Sequence, residues 1–315
     1  MTVLAQAGAL ARAGRSSEAV ELVTRAAESG DDTARMALGH WRLFGPYLPV
    51  DPAEAYRWFV QAAEGGQPEA QRIEAYMRAA GVGIAPDPEG ARRALLARQG
   101  GDPAIRRMAE VASALDDAPA PAPEVLSPDP IVRVTRAAFP RAACEWLAAA
   151  ARPRLRRSSI HDPRTGRAVE HPHRKSQSTN FGPTEADLVV TAVARRIARL
   201  TDTAFEAGEP LHILHYAPGD EFRPHHDSIE GAANPRAWTA ILYFNEGYEG
   251  GETIFPELGL RFAGRGGDLL LWRNTDGEGR ELPAAVHAGE PVRSGEKWVA
   301  TRWIRARPFN ALVDR

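Results

Sequence analysis

Three residues, His225, Asp227 and His287, combine side-chain types and spacing that suit a metal site. The first two lie in the stretch RPHHDS, where two adjacent histidines precede an aspartate. Because a strand sends residues i and i+2 to one face, His225 and Asp227 can converge on one point while His226 faces away. His287 is the only histidine after Asp227 in the sequence. Two histidines and one carboxylate form a facial triad, which binds non-haem Fe(II) and leaves adjacent coordination positions open.

Short strands must position such a triad, and the second half of the chain has their pattern. Two segments with helical periodicity come first, RAACEWLAAAARPRL and TEADLVVTAVARRIARLTDT, and Pro183 marks the predicted start of the second. From Leu211 onward, strand-like runs alternate with Gly-rich turns: LHILHYA, WTAILYFN, GETIFP, GLRFA, GDLLLWRN and KWVATRWIRA. This texture predicts an antiparallel barrel or double-sheet jelly roll with helices packed outside, in which His287 returns on a later strand.

Three ordered blocks of this half resemble the prolyl 4-hydroxylase family. LHILHYAPGDEFRPHHD is similar to the family's run of a tyrosine, a glycine three residues on, an aromatic residue and His-x-Asp. WTAILYFNEGYEGGETIFP resembles its hairpin with Gly-Gly-Glu-Thr, and HAGEPVRSGEKWVATRWI resembles its distal-histidine segment. The resemblance covers residues 131–308. It implies a double-stranded β-helix, or jelly-roll, oxygenase domain with flanking helices.

Carried over residue by residue, the resemblance implies two sets of ligands. The implied Fe(II) ligands are His225, Asp227 and His287, and the residues that would bind the distal carboxylate of 2-oxoglutarate are Lys297, Tyr216 and Thr253. Arg302 and Arg293 are alternative cations for that carboxylate. Arg174, in RKSQS, matches a family position that faces the substrate.

The resemblance implies hydroxylation of an aliphatic carbon, with release of succinate and CO2. The implied cofactor is Fe(II), the co-substrates are 2-oxoglutarate and O2, and ascorbate is an additional candidate. The substrate candidates are a prolyl residue of a peptide or protein, and a proline-like or free amino acid. The alternative function is a non-catalytic, repeat-based scaffold or sensor that retains a metal-binding oxygenase fold. The intact triad and Lys297 argue against that alternative.

Positive charge is concentrated between Arg152 and Lys175, where eight basic residues accompany two acidic ones. One interpretation is a loop that closes over the substrate and attracts a carboxylate or an acidic peptide. The other is a solvated loop. The stretch lacks the interleaved aromatic residues typical of single-stranded nucleic-acid binding, and the formal net charge of the chain is −2. We therefore expect no nucleic-acid or membrane partner.

The first 110 residues contain an internal repeat. AAESGDDTA recurs as AAEGGQPEA, and VDPAEA recurs as PDPEGA, both 36 residues later. Two motifs with one displacement predict a stack of helix pairs, and they resemble the Sel-like repeats of the tetratricopeptide class over residues 1–113. The Asp-Pro pairs at Asp51 and Asp87 are predicted to begin helices. Such repeats dock a protein partner or self-associate, or else they cover and stabilise a neighbouring domain.

Proline and alanine dominate the next segment, 114–130, which we predict to be a linker ahead of an oxygenase domain at 131–315. The overall class is thus α+β, a helical repeat domain followed by a jelly roll. A single cysteine, Cys144, excludes an intramolecular disulfide and favours a reducing compartment. The N-terminus has no basic region before its apolar residues, so we expect a cytoplasmic protein.

Overall fold

The computed structural model describes residues 1–161, 168–170, 173–228 and 231–312, with the backbone alone at 159–161 and 168–170. The chain divides into two compact units. The first contains Met1–Glu110 with Gly182–Thr191 and the chain from Ala311, and the second contains the described parts of Val111–Phe181 and Ala192–Asn310. None of the helices in the described part of the chain has the length and apolar character that a bilayer span requires.

Helices form the N-terminal unit, as the repeated motifs predict. They are α1 (Val3–Arg12), α2 (Ser16–Glu28), α3 (Asp32–Phe44), α4 (Pro52–Glu64), α5 (Pro68–Ala80), α6 (Pro88–Gln99) and α7 (Pro103–Asp117), of which α7 belongs to this unit as far as Glu110. Helix α4 begins 36 residues after α2, and α5 begins 36 residues after α3. The repeated sequence motifs have the same displacement of 36 residues. The predicted stack of helix pairs is therefore confirmed.

The Asp-Pro pairs begin helices, as the sequence predicts. The Asp51 carboxylate accepts from the backbone N–H of Glu54 at 2.9 Å, and the Asp87 carboxylate accepts from that of Gly90 at 2.8 Å. Proline occupies the first helical position of both α4 and α6, where its missing N–H has no helical partner to lose. These caps fix where each repeat begins.

Close helix packing within the repeats depends on one glycine. Gly39 on α3 faces the ring of Phe59 on α4, and a Cβ at Gly39 would lie 2.7 Å from that ring. Phe59 is fully buried. A larger residue at position 39 would push the two helices apart, since packed interiors have few voids to absorb the extra atom.

The second unit is built from antiparallel strands. They are β1 (Glu124–Pro128), β2 (Ile131–Thr135), β3 (Arg156–Arg157), β4 (Ser159–His161), β5 (Ala168–Glu170), β6 (Arg174–Lys175), β7 (Gln177–Asn180), β8 (His212–Tyr216), β9 (Glu221–His225), β10 (Arg236–Tyr243), β11 (Glu249–Gly250), β12 (Thr253–Phe255), β13 (Leu260–Phe262), β14 (Leu269–Arg273), β15 (His287–Gly289), β16 (Val292–Ser294) and β17 (Lys297–Arg305). The remaining helices are α8 (Arg141–Ala151) and α9 (Leu188–Thr201).

Two sheets of the second unit position the site. The larger has the order β1-β2-β14-β10-β17-β8-β7-β3, and the smaller has the order β13-β12-β15-β9-β6. A core cluster draws on both sheets, with Trp272 and Val299 from the larger and Phe255 and Phe262 from the smaller. The core therefore lies between the sheets, as in a jelly roll. The predicted fold class is confirmed.

Two local features differ from the sequence-based expectation. The second helix, α9, begins at Leu188 and not near Pro183, because the Asp187 carboxylate accepts from the N–H groups of Val189 and Val190 and caps the helix there. The segment 114–130, which we predict to be a linker, contains the end of α7 and strand β1. The domain limits at 113 and 131 stay a prediction.

Candidate active site

His225 and His287 lie opposite each other at the ends of two paired strands. His225 is the last residue of β9, His287 is the first of β15, and the antiparallel register pairs them directly. Asp227 lies two residues beyond the end of β9, in a bend. The prediction that Asp227 continues the strand is therefore wrong, because the strand ends at His225. The bend brings the carboxylate back to the same point.

The three side chains converge closely. Their candidate ligand atoms all lie within 4.8 Å of one another. The Nε2 atom of His225 is 3.7 Å from one Asp227 carboxylate oxygen, and that of His287 is 3.4 Å from the other. Such distances leave room for an ion between the groups.

Backbone carbonyls orient both imidazole rings. The Nδ1 atom of His225 is 2.8 Å from the carbonyl oxygen of Arg223, and that of His287 is 3.0 Å from the carbonyl of Ala285. Because a carbonyl only accepts, each Nδ1 carries the hydrogen and each Nε2 presents its lone pair to the shared centre. Ala285 acts through its backbone, so its apolar side chain does not weaken this support.

Burial keeps both histidines neutral. It lowers the pKa of His225 to about 4, with a further contribution from the nearby His287, and it lowers the pKa of His287. Burial alone would raise the pKa of Asp227. The positive charge that the two histidines acquire at low pH and the Thr239 hydroxyl, which donates to this carboxylate at 2.7 Å, together hold the pKa of Asp227 below its usual range. Two neutral imidazole nitrogens and one carboxylate oxygen fit the donor set that non-haem Fe(II) takes.

Aromatic rings surround the two histidines. The ring of Phe222 stacks on His225 at a centroid distance of 3.5 Å, and the ring of Trp272 meets His287 edge-on at 4.5 Å. Packed rings restrict rotation of the imidazoles and exclude water from this side of the site.

A second set of polar residues lines the pocket that contains the triad. Lys297 begins β17 and pairs directly with Tyr216 at the end of β8. Its ammonium donates to the carbonyl of Gly251 at 2.6 Å, and burial lowers the pKa of Lys297 to about 8. Lys297, Tyr216 and Thr253 line a pocket of about 460 Å³, open mouth included, together with the triad. A buried ammonium beside two hydroxyl groups can bind a carboxylate.

The two alternative cations do not line this pocket. Arg302 is buried, but its guanidinium donates to the carbonyl oxygens of Ala194 and Phe205. Arg293 is exposed on β16. Of the three candidate cations for the carboxylate, Lys297 is thus the one that lines the pocket with Tyr216 and Thr253.

Comparison with known proteins identifies the family. The pattern of the 2OG-Fe(II) oxygenase superfamily matches residues 211–305. Prolyl 4-hydroxylase 1 of Arabidopsis thaliana is 32% identical over 204 residues, which cover 59% of this chain and 72% of that protein. The chain belongs to the prolyl 4-hydroxylase family. It is a 2-oxoglutarate-dependent dioxygenase, and the family's cofactor and co-substrates are Fe(II), 2-oxoglutarate and O2.

Two solved structures resemble separate parts of this dioxygenase. The viral collagen prolyl hydroxylase of Paramecium bursaria Chlorella virus-1 is 25% identical, with a TM-score of 0.45, and covers 56% of this chain and 96% of its own. A Sel1 repeat protein from Oxalobacter formigenes is 26% identical, with a TM-score of 0.28, and covers 30% of this chain and 71% of its own. The family assignment depends on the Arabidopsis relative.

The other histidines near the site lie against groups outside the triad. The Nε2 atom of His226 donates to the carbonyl of Leu282 at 3.1 Å, and its Nδ1 accepts from the N–H of Ser228. His215 lies against Trp298 with a centroid distance of 4.4 Å. His212 is buried beside Trp303, and burial lowers its pKa to about 3. His226 therefore faces away from the centre, as the sequence predicts.

Arg174 lines the same pocket. Its guanidinium lies 5.3 Å from the ring centroid of Phe222, and burial lowers its pKa. Within the basic stretch that the sequence analysis singled out, Arg164 and Arg167 lie outside the described residues.

Some pocket residues escaped the sequence analysis. Thr301 lines the pocket with Lys297 and lies on the same face of β17. The alternation of a strand, applied from Lys297, would have found it. Thr239 was also missed, because nothing in the sequence marks a threonine on β10 as the partner of Asp227.

Proposed function

We propose that this dioxygenase hydroxylates an aliphatic carbon of a prolyl residue, or of a proline-like free amino acid, while converting 2-oxoglutarate and O2 to succinate and CO2. The observation that supports the proposal is the shared pocket, which is lined at once by the His225, Asp227 and His287 triad and by Lys297. The names of the matched relatives support proline as the residue attacked.

In this proposal His225, Asp227 and His287 hold Fe(II), which supplies the dioxygen chemistry when it is bound. The chain's own contribution is orientation. Fixed Nδ1–H bonds aim the two imidazoles, and the Thr239 hydroxyl holds the carboxylate. The surrounding rings keep bulk water away from one side of the site, which limits side reactions.

Lys297, Tyr216 and Thr253 would bind the distal carboxylate of 2-oxoglutarate. The Lys297 ammonium is buried and has lost its hydration. A bound anion would therefore stabilise its charge. The hydroxyl groups of Tyr216 and Thr253 supply neutral donors. Burial raises the pKa of Tyr216 to about 12, so that this phenol stays protonated and able to donate.

The substrate would enter beside Arg174, Thr301 and Trp303, which line the pocket with the triad. Arg174 can donate to a peptide carbonyl or to a free carboxylate, so both substrate classes suit it. The helical repeats favour a polypeptide, because stacked helix pairs present extended binding surfaces. We propose that they recruit a protein substrate or partner, or self-associate. The single buried cysteine supports a cytoplasmic location.

The deciding experiment follows the protein's visible spectrum under anaerobic conditions during titration with Fe(II) and 2-oxoglutarate. We expect a charge-transfer band that needs both additions in the wild type and is absent from His287→Ala. His226→Ala is the matched control and should keep the band, since His226 bonds a backbone carbonyl and not the centre. A folded wild-type protein without the band would contradict the proposal.

Turnover then separates the substrate classes. Proline-containing peptides and free proline are each incubated with the loaded enzyme, and succinate release is compared with the gain of one oxygen atom by mass spectrometry. Coupled oxygen gain in the peptide or in free proline identifies the substrate class. Binding of metal and 2-oxoglutarate with no turnover on either class would favour the scaffold or sensor alternative.

A further inference from the structure

Tyr243 lies behind the proposed 2-oxoglutarate site, at the end of β10. It is fully buried, and its phenol oxygen is 2.7 Å from the hydroxyl oxygen of Thr253. The backbone of Gly264 lies flat against the ring, since a Cβ there would come within 2.3 Å of it. The ring of Phe262 packs 5.5 Å away. The phenol of Tyr243 is therefore held in one orientation.

The same tyrosine contacts the proposed anion-binding lysine. The Lys297 ammonium lies between two aromatic rings, 5.4 Å from the centroid of Tyr216 and 5.5 Å from that of Tyr243. Ring faces carry partial negative charge, and they stabilise an ammonium that has left water. Tyr243 thus touches both Thr253 and Lys297, although it does not line the pocket itself.

Either hydroxyl can donate in this hydrogen bond, and an anion in the pocket selects one direction. Burial raises the pKa of Tyr243, so the phenol keeps its one proton. Thr253 also has one proton and can accept from a neighbour while it donates. When Tyr243 donates to Thr253, the threonine proton is left for an acceptor in the pocket. An anion in the pocket favours this arrangement, because each bond in such a chain polarises the next.

We infer that Tyr243 is a positioning residue for the co-substrate, which orients the Thr253 hydroxyl as a donor toward the distal carboxylate held by Lys297. The inference rests on the proposed function, because it takes that carboxylate as the occupant of this end of the pocket. It predicts an effect on the affinity for a dicarboxylic 2-oxoacid, with no contact between Tyr243 and the ligand.

The test uses Tyr243→Phe, which removes one oxygen atom and keeps the ring. Ligand binding to the Mn(II)-loaded protein is measured by calorimetry, without turnover. The probes are 2-oxoglutarate and 2-oxopentanoate, which has the same chain length but no distal carboxylate. We expect about 5-fold weaker binding of 2-oxoglutarate and unchanged binding of 2-oxopentanoate. Because both probes bind the same protein sample, a general loss of stability cannot produce this difference.

A double-mutant cycle tests whether Tyr243 acts through Thr253. Thr253→Val alone should weaken 2-oxoglutarate binding, and adding Tyr243→Phe should weaken it no further. Tyr248→Phe is the matched control. This nearby phenol donates to the backbone carbonyl of Gly264 at 3.4 Å, so its removal should leave the affinity for both probes unchanged.

The outcomes separate the inference from the proposed function. Equal 2-oxoglutarate affinity in the wild type and Tyr243→Phe, or full additivity in the cycle, overturns the role of Tyr243 and leaves the proposed function standing. A wild-type protein that binds no 2-oxoglutarate overturns the proposed function and this inference together.

Discussion

His225 and His287 are direct cross-strand partners, one ending β9 and the other beginning β15, with ring centroids 4.3 Å apart. Directly opposed residues of an antiparallel pair place their side chains on the same face of the sheet. Backbone pairing therefore brings the two rings together, although they are far apart in the sequence.

This pairing predicts the effect of removing a single histidine. His225→Ala or His287→Ala should weaken Mn(II) binding at least 100-fold, because two donors cannot hold the ion that three hold. The apo fold should survive, since the strand pairing is made by backbone groups. His226→Ala should bind Mn(II) like the wild type, measured by competition with a chelator. Equal losses in all three variants would contradict the assignment of the triad.

The sequence predicted much of this site, and its failures have local causes. The runs that form β8, β10, β14 and β17 have strand-forming residues bounded by turns, so the sheets were predictable. Asp227 reached the centre through a bend that strand periodicity does not encode. The start of α9 was misplaced because Asp187 competes as a cap with the earlier proline. Thr239 and Tyr243 act through contacts between distant segments, which a single sequence does not reveal.

Thr239 should increase the metal affinity of the site by orienting the Asp227 carboxylate. Its hydroxyl donates to that carboxylate at 2.7 Å and accepts from the side-chain amide of Asn274 at 2.8 Å. We expect Thr239→Val to weaken Mn(II) binding about 10-fold, since the carboxylate loses its orienting donor. Thr201→Val is the matched control, because this buried hydroxyl bonds the carbonyl of Ile197 within α9. Loss of metal affinity in the control as well would indicate a general effect of stability.

Lys297 should make co-substrate affinity depend on pH. Burial lowers its pKa to about 8, so the ammonium is charged below that pH and neutral above it. If a carboxylate binds only the charged form, 2-oxoglutarate affinity should be constant below about pH 8 and fall by up to about 10-fold per pH unit above it. Calorimetry on the Mn(II)-loaded protein at fixed ionic strength measures this slope.

The control for this pH dependence is Lys297→Arg. A guanidinium stays charged across the same range, so the variant should bind more weakly but with no slope between about pH 7 and pH 9. A wild-type slope that persists unchanged in Lys297→Arg would assign the titration to another group.

Glu74 should hold the helical repeats together. It is buried on α5, where the Tyr56 hydroxyl donates to it at 2.9 Å and the Arg98 guanidinium donates at 3.0 Å. Glu74→Ala leaves the buried phenol of Tyr56 without its hydrogen-bond acceptor and removes a partly exposed ion pair with Arg98. We therefore expect the free energy of unfolding of this unit to fall by about 2 kcal/mol. Glu89→Ala removes an exposed ion pair with Arg93 and should lower the free energy of unfolding in urea by under about 0.5 kcal/mol. Mn(II) affinity should stay unchanged in both variants, because the triad belongs to the other compact unit. Equal destabilisation by the two substitutions would show that the buried network contributes nothing beyond surface charge.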